Sequence, residues 1–314
     1  MGWVLGLAEM NDAHGGANAM FTRLKLMFAL AAVLLSASAY ADSFVYVVNG
    51  NSQFGIVDLN NGSFAPIGPG LPAGGYGMVA GPGGTLLALG YDGNLYSVNP
   101  ATGVGSVIGA TGLGFTGNTI GEYGGVVYAA DTSNNLYTVN VSTGLATQIS
   151  PAGGSGIPPD PGCGSSDLCD ETIFGAGGNL YATWDEFTPS FSPVYSETID
   201  SGPSLYEIDP TTGVATLLSS TGLHIIAATN FDGTIYGFEG FPSAFNPLPN
   251  PPIEVITINP LNGATTDVSN LDPSVGPIFA MAPASTPEPA SLAFVGTGLA
   301  ALAVRLRRRL SRPD

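Results

Sequence analysis

The first thing missing is a basic side chain anywhere in the middle of the chain. All seven Lys and Arg residues sit near the ends: Arg23 and Lys25 in front, and Arg305, Arg307, Arg308, Arg309 and Arg312 behind. Between Asp42 and Ala284 there are twenty Asp and Glu residues and no Lys or Arg, within a chain of net charge −17. Nucleic-acid binding requires neutralisation of phosphates by basic side chains, so that class is excluded. Sialidase-like and phosphoryl-transfer chemistry clamp their anions with Arg or Lys, and fall with it. Internal ion pairs with Lys or Arg are also ruled out, which leaves packing and backbone pairing to stabilise the fold. The acidic excess favours solubility and repels polyanions.

Cysteine and histidine are nearly absent as well. The only two cysteines, Cys163 and Cys169, lie in Pro161-Gly-Cys-Gly-Ser-Ser-Asp-Leu-Cys-Asp170, and His224 is the only histidine of the middle region. In an exported chain, two cysteines this close are expected to form a small-loop disulfide. Metal ligation by the pair lacks further Cys or His ligands nearby. His224, beside Ile225 and Ile226, reads as a half-buried residue at a strand end rather than a catalytic base.

Export is legible at the N-terminus. Met20-Phe-Thr-Arg-Leu-Lys25 is a positive start, Leu26 to Ser36 an apolar centre, and Ala39-Tyr-Ala41 a small-x-small cleavage site, as in a secretory signal peptide. The mature chain is expected to begin at Asp42. Residues 1–19 precede the basic start and fit no part of such a signal, so Met20 is the expected first residue.

At the other end, Ser285-Thr-Pro-Glu-Pro-Ala-Ser291 opens a second signal. Proline has no N–H to donate and drives its predecessor into an extended conformation, so Pro287-Glu288-Pro289 is expected to be open to a processing enzyme. The uncharged run from Ala290 to Val304 follows. At ~1.5 Å per residue it reaches about 22 Å as a helix, short of a ~30 Å hydrocarbon core. Snorkelling arginines and Leu306 lengthen it, while Arg305, Arg307, Arg308 and Arg309 fix its orientation with the bulk of the chain outside. Pro-Glu-Pro, hydrophobic helix and arginine cluster, in that order, resemble the PEP-CTERM sorting signal. That resemblance implies processing by an exosortase, a membrane-embedded, cysteine-protease-like enzyme of Gram-negative bacteria that make extracellular polysaccharide. It covers about the last thirty residues. The expected division is therefore a start segment 1–19, a signal peptide 20–41, a domain 42–284 and a sorting signal 285–314. The signal comprises the motif 285–289, a membrane helix 290–304 and a basic tail 305–314.

The domain itself is a repeat. Phe54-Gly-Ile-Val-Asp58, Leu95-Tyr-Ser-Val-Asn99, Leu136-Tyr-Thr-Val-Asn140, Leu205-Tyr-Glu-Ile-Asp209 and Val255-Ile-Thr-Ile-Asn259 each end in Asp or Asn, with a Gly four residues later. They recur after 41, 41, 69 and 50 residues, a spacing of propellers and solenoids. A β-branched or aromatic phrase precedes each: Phe44 to Val48, Thr85 to Leu89, Val126 to Ala130, Asn179 to Thr183 and Thr234 to Phe238. Further strands follow the turn, as at Ala215 to Leu218, and lead into the next unit, as at Tyr76 to Ala80. Four strands per unit and five units predict an all-β fold, a β-propeller of five four-stranded blades. The alternative is six blades, if the long insertions carry strands of their own.

The last phrase, Pro277 to Pro283, leads into no unit, and the first, Phe44 to Val48, lacks a leading strand. Ring closure by the C-terminal strand satisfies both edges. The phrase Leu-Tyr-x-Val-Asn-Pro-x-Thr-Gly resembles quinoprotein-like and YVTN-type propeller repeats, a structural likeness that spans many functions.

Candidate chemistry rests on carboxylates. Asn49, Asp92, Asp131, Asp185 and Glu239 recur just past the preceding phrases and would line one face as an acidic rim. Such a rim suits acid–base cleavage of a glycosidic bond, or Ca²⁺. The simpler reading is that Asp and Asn support turns there. Asp167, Asp170 and Glu171 beside the cysteines read as a solvated loop, and Trp184 to Pro203 as a long surface loop.

The functional expectation is an exported, noncatalytic cell-surface or matrix propeller. Its structural, adhesive or binding role would be associated with exopolysaccharide, with exosortase and signal peptidase as processing partners. The alternative is a secreted carbohydrate-active or lactone-hydrolysing enzyme using carboxylates on one propeller face. No cofactor is called for beyond Ca²⁺ at the rim.

Overall fold

In the computed structural model, the alternating phrases are strands. The structure describes residues 43–49, 52–72, 74–81, 85–114, 119–131, 133–158, 172–190, 196–221, 225–239, 253–273, 275–276 and 278–284, with only the backbone of 76, 185–190, 196–203 and 279. Residues 43–285 form one compact unit.

Blade 1 holds β1 (Phe44–Asn49), β2 (Phe54–Asp58) and β3 (Phe64–Gly68). Blade 2 holds β4 (Gly75–Ala80), β5 (Leu86–Gly90), β6 (Asn94–Val98) and β7 (Gly105–Ala110). Blade 3 holds β8 (Thr119–Tyr123), β9 (Val126–Ala130), β10 (Leu136–Val139) and β11 (Ala146–Gln148). Blade 4 holds β12 (Thr172–Ala176), β13 (Asn179–Ser190), β14 (Ser196–Ile208) and β15 (Ala215–Ser220). Blade 5 holds β16 (Ile225–Phe231), β17 (Thr234–Glu239), β18 (Glu254–Ile258) and β19 (Thr265–Asn270). The last strand, β20 (Ile278–Pro283), returns to blade 1 in the order β20-β1-β2-β3. All pairings are antiparallel, and Tyr46 faces Ala282 and Val47 faces Met281 across the closing pair. The described residues thus form an all-β, five-bladed propeller of four-stranded blades, closed by its first and last strands.

Within each blade the strands run A to D from the axis outward, so β20, β4, β8, β12 and β16 are the A strands. Each A strand packs against the next around the ring. Five inner strands make a tight ring, and the sequence meets the crowding with small residues. A Cβ on Gly121, for example, would come within 2.5 Å of the Ile173 carbonyl oxygen. The apolar core lies in the seams between blades. Val47, Phe238 and Met281 fill the seam of blades 5 and 1; Phe54, Met78 and Leu86 that of blades 1 and 2. Leu95 and Val127 join blades 2 and 3, Ile173 and Tyr128 blades 3 and 4, and Leu205 with Ile256 blades 4 and 5. Each fully buried side chain of this kind stabilises by roughly 1.5–3 kcal/mol, so no blade buries its faces alone.

The Asp/Asn–Gly spacing has a physical purpose. Asp58, Asn99, Asn140, Asp209 and Asn259 each accept, through Oδ1, the N–H two residues on at 2.8–2.9 Å. Their carbonyls accept the N–H of Gly62, Gly103, Gly144, Gly213 and Gly263 at 2.7–2.8 Å. These glycines have φ between 66° and 82°, the left-handed region that side chains rarely adopt. Each C–D turn also packs against the preceding blade. A Cβ on Gly62 would run into the carbonyl of Asn270, and one on Gly144 would lie 2.5 Å from the carbonyl oxygen of Gly109. The same turn therefore builds the blade and docks it, including at the closure of blade 1 on blade 5.

One expectation changes. Within the stretch expected as a loop, residues 184–190 and 196–203 are strand; β13 and β14 run on through them as a long antiparallel pair, with Glu186 opposite Ser201, Phe187 opposite Ile199 and Thr188 opposite Thr198. Phe187, Thr188, Thr198 and Ile199 favour strands, and the segment continues the backbone pairing of a blade already present, so it lengthens blade 4 and adds no sixth blade. The stretch from Pro151, which leads to the cysteines, begins as a bridge: the Ser155 N–H donates to Asn134, its carbonyl accepts from Ala215, and Ile157 is buried between blades 3 and 4. Cys163, Cys169, Asp167, Asp170, Glu171, His224, the signal peptide and the C-terminal helix lie outside the described residues.

Candidate functional site

Antiparallel order puts two kinds of connection at opposite ends of every blade. The B–C turns and D–A links share one end with Asn49, Asp92, Asp131, Asp185 and Glu239. The A–B and C–D turns share the other, together with the points where the chain enters at Ser43 and leaves after Ala284.

At the B–C end, two of the carboxylates support turns. The Asp92 carboxylate accepts from the Asn94 backbone at 3.1 Å, the Asn94 amide at 2.7 Å and the Tyr96 hydroxyl at 2.7 Å. Burial opposes its ionisation, but these hydrogen bonds outweigh it and hold the carboxyl below the ordinary value. Asp131 repeats the device one blade on. It accepts from the Ser133 and Asn135 backbones at 2.9 and 3.0 Å, from the Asn135 amide at 2.9 Å and from the Tyr137 hydroxyl at 2.8 Å. Burial, then the hydrogen bond and charge of Asp131, push the Tyr137 phenol up to about 12. Asn49 plays the corresponding part in blade 1, accepting from the Gln53 backbone and donating to the Val275 carbonyl, each at 2.9 Å.

Glu239 lies elsewhere in chemical terms. It pairs with Glu254 across β17 and β18, and with Asp267 these carboxylates come within 4.8 Å of one another on the side of blade 5. Asp185 falls inside β13, and its side chain lies outside the described residues. The structure therefore gives Asp92, Asp131 and Glu239 separate surroundings on three blades.

The axis offers little room. A cavity of about 10 Å³ between the A strands is lined by Met78, Thr119, Ile120, Thr172, Ala228 and Met281, with hydroxyls but no carboxylate. Nearer the A–B end, a cavity of about 80 Å³ reaches Glu122, Thr229 and Asn230. Glu122 also accepts the Gly125 N–H at 2.6 Å, bracing its own turn.

A roomier concavity lies at the A–B end, between blades 3 and 4. It is a groove of about 630 Å³ lined by Tyr123, Asn179, Glu207, Asp209, Thr212 and Thr216, among others. The Tyr123 hydroxyl donates to the Gly178 carbonyl at 2.6 Å, joining the two blades along its wall. Asp209 accepts the Thr211 and Thr212 N–H groups at 2.8 and 3.2 Å, which lowers its pKa. None of these residues belongs to the rim expected from sequence. The signal that could have found one was a departure from the repeat: the place of Glu207 is taken by Ile56, Ser97, Thr138 and Thr257 in the other blades.

The C-terminal segment is decided by comparison. Residues 285–309 match the PEP-CTERM protein-sorting motif. The match spans Pro287, Glu288 and Pro289 together with Arg305, Arg307, Arg308 and Arg309, all outside the described residues. The protein is accordingly exported, held first as a membrane-anchored precursor and processed by an exosortase. No curated protein matches the chain in sequence. Among solved structures it is similar to a structural-genomics protein of unknown function from Bacteroides thetaiotaomicron VPI-5482, with 14% identity and a TM-score of 0.44. The alignment covers 73% of this chain and 56% of that one, so the chain spans little more than half of that protein's length.

Proposed function

We propose that the mature protein is a noncatalytic, adhesive scaffold at the cell surface or in the extracellular matrix, where it binds exopolysaccharide after exosortase processing. The observation that carries the reading is the engagement of the carboxylates. Asp92 and Asp131 each accept hydrogen bonds from an Asn and a Tyr of their own turn, on separate blades. A glycosidase instead needs two carboxyl groups facing each other across a bond, roughly 5–9.5 Å apart, with room for a sugar between them. The cavity of about 10 Å³ on the axis leaves no room for a sugar or a lactone there. The role calls for no cofactor. Acidity limits the partner, since a domain without Lys or Arg repels polyanions and leaves neutral glycans as the compatible class.

The test is to isolate the extracellular matrix of cells making the full chain and digest it with hydrolases of neutral glycans. The protein should sediment with intact matrix and become soluble on digestion. Recovery as free protein in the medium before digestion would overturn the reading.

A further inference from the structure

We infer that the groove between blades 3 and 4 is the polysaccharide-binding site, and that its ligand is a neutral glycan. The inference rests on the glycan-binding reading above and gives it a location. At about 630 Å³ the groove lies within the ~300–1,000 Å³ usual for small-ligand sites, with room for a short run of sugar rings.

Its lining suits a polyol. Sugar hydroxyls both donate and accept, and the C–H faces of the rings are apolar. Glu207 and Asp209 supply acceptors, Asn179 an amide that does both, and Thr212 and Thr216 hydroxyls that do both. Tyr123 adds an aromatic ring whose hydroxyl is already committed to Gly178, which fixes the ring in advance of binding. Asp209 is an ionised acceptor at neutral pH, its pKa lowered further by the backbone N–H groups it accepts.

A purely structural account explains Asp209 but not Glu207. Every blade needs Asp or Asn at the position of Asp209 to close the C–D turn. No blade needs an acid two residues earlier, where Ile56, Ser97, Thr138 and Thr257 serve the same fold. Glu207 stands opposite Thr216 in the register of β14 and β15, so the departure from the repeat falls within the groove.

The repeat also supplies substitutions that preserve the fold. Glu207→Thr introduces the residue of blades 3 and 5, and Asp209→Asn that of blades 2, 3 and 5. The full chain, purified in detergent, is run on native gels containing dextran, mannan, alginate or the extracellular polysaccharide of the producing cells. At least one neutral polysaccharide should retard it, and alginate should not. The double variant Glu207→Thr/Asp209→Asn, and separately Tyr123→Ala, should weaken that retardation at least tenfold, with the double variant melting within about 2 °C of the parent. Undiminished retardation of both variants would move the site elsewhere while leaving glycan binding intact. Failure of every neutral polysaccharide to retard the parent would overturn both the site and the reading beneath it, and equal retardation by alginate would refute the neutral-ligand assignment.

Discussion

Blades 2 and 3 keep a 41-residue step and close their B–C ends with the same aspartate–tyrosine brace, Asp92 to Tyr96 and Asp131 to Tyr137. Blades 4 and 5 depart from that pattern. Blade 4 extends its central strands as a long antiparallel pair, carries Glu207 in place of a neutral residue and borders the groove. Blade 5 sets Glu239 against Glu254 and Asp267. In the regular pair, Asp92 and Asp131 are both explained by their own turns. In the irregular pair, side chains remain that the fold does not require. A repeat protein separates the two demands in this way: what recurs in every blade is architecture, and what breaks the recurrence is free to serve recognition.

The largest effect expected falls on the recurring seam. Gly62→Ala forces a side chain into the left-handed region, at about 1–2 kcal/mol, and drives it into the Asn270 carbonyl where blade 1 meets blade 5. Gly124→Ala carries only the first penalty, because nothing lies within 4 Å of its would-be Cβ. Calorimetry should show Gly124→Ala melting lower by roughly 2–8 °C, and Gly62→Ala by several degrees more than that, at about 2–4 °C per kcal/mol for a domain of this size. Equal shifts would show that the turns do not dock the blades.

A smaller effect distinguishes the regular pair. Tyr137→Phe removes the hydroxyl held by Asp131 and should cost on the order of 1–2 kcal/mol, with polysaccharide retardation unchanged. Its pH dependence has a definite sign. Because the phenol is raised to about 12 in the fold, it binds a proton that the unfolded chain releases near its ordinary value of 10.0. Its contribution is complete below pH 10 and is lost as pH rises towards about 12. Urea melts across that interval should fall less steeply for Tyr137→Phe than for the parent. Parallel slopes would mean that the brace contributes nothing. Loss of retardation in this variant would break the division between the two pairs of blades.

The strands were legible because each β-branched phrase repeats with a turn residue at a fixed offset, and ring closure because one strand lacked a unit and one unit lacked a strand. The long strand pair of blade 4 was not. Pro189 and the serines and prolines around it mark chain that usually leaves a sheet, and only the pairing of Pro189 with Glu197 and of Thr188 with Thr198 reveals that it stays. The acidic residues past the B strands were visible, and so was their capacity to support turns, but the tyrosines completing that support belong to the next strand's pattern. The groove was hidden for a different reason. Tyr123 ends a strand of blade 3 and Glu207 lies in blade 4, so neither phrase alone indicates that they share a wall.

The account stands most directly on the sorting signal, since a matrix scaffold has to leave the membrane that first holds it. Replacing Pro287, Glu288 and Pro289 together with alanine and fractionating the cells tests this. The variant should remain in the membrane fraction, uncleaved and missing from the extracellular matrix. Release of the variant in the same amount as the parent would contradict it.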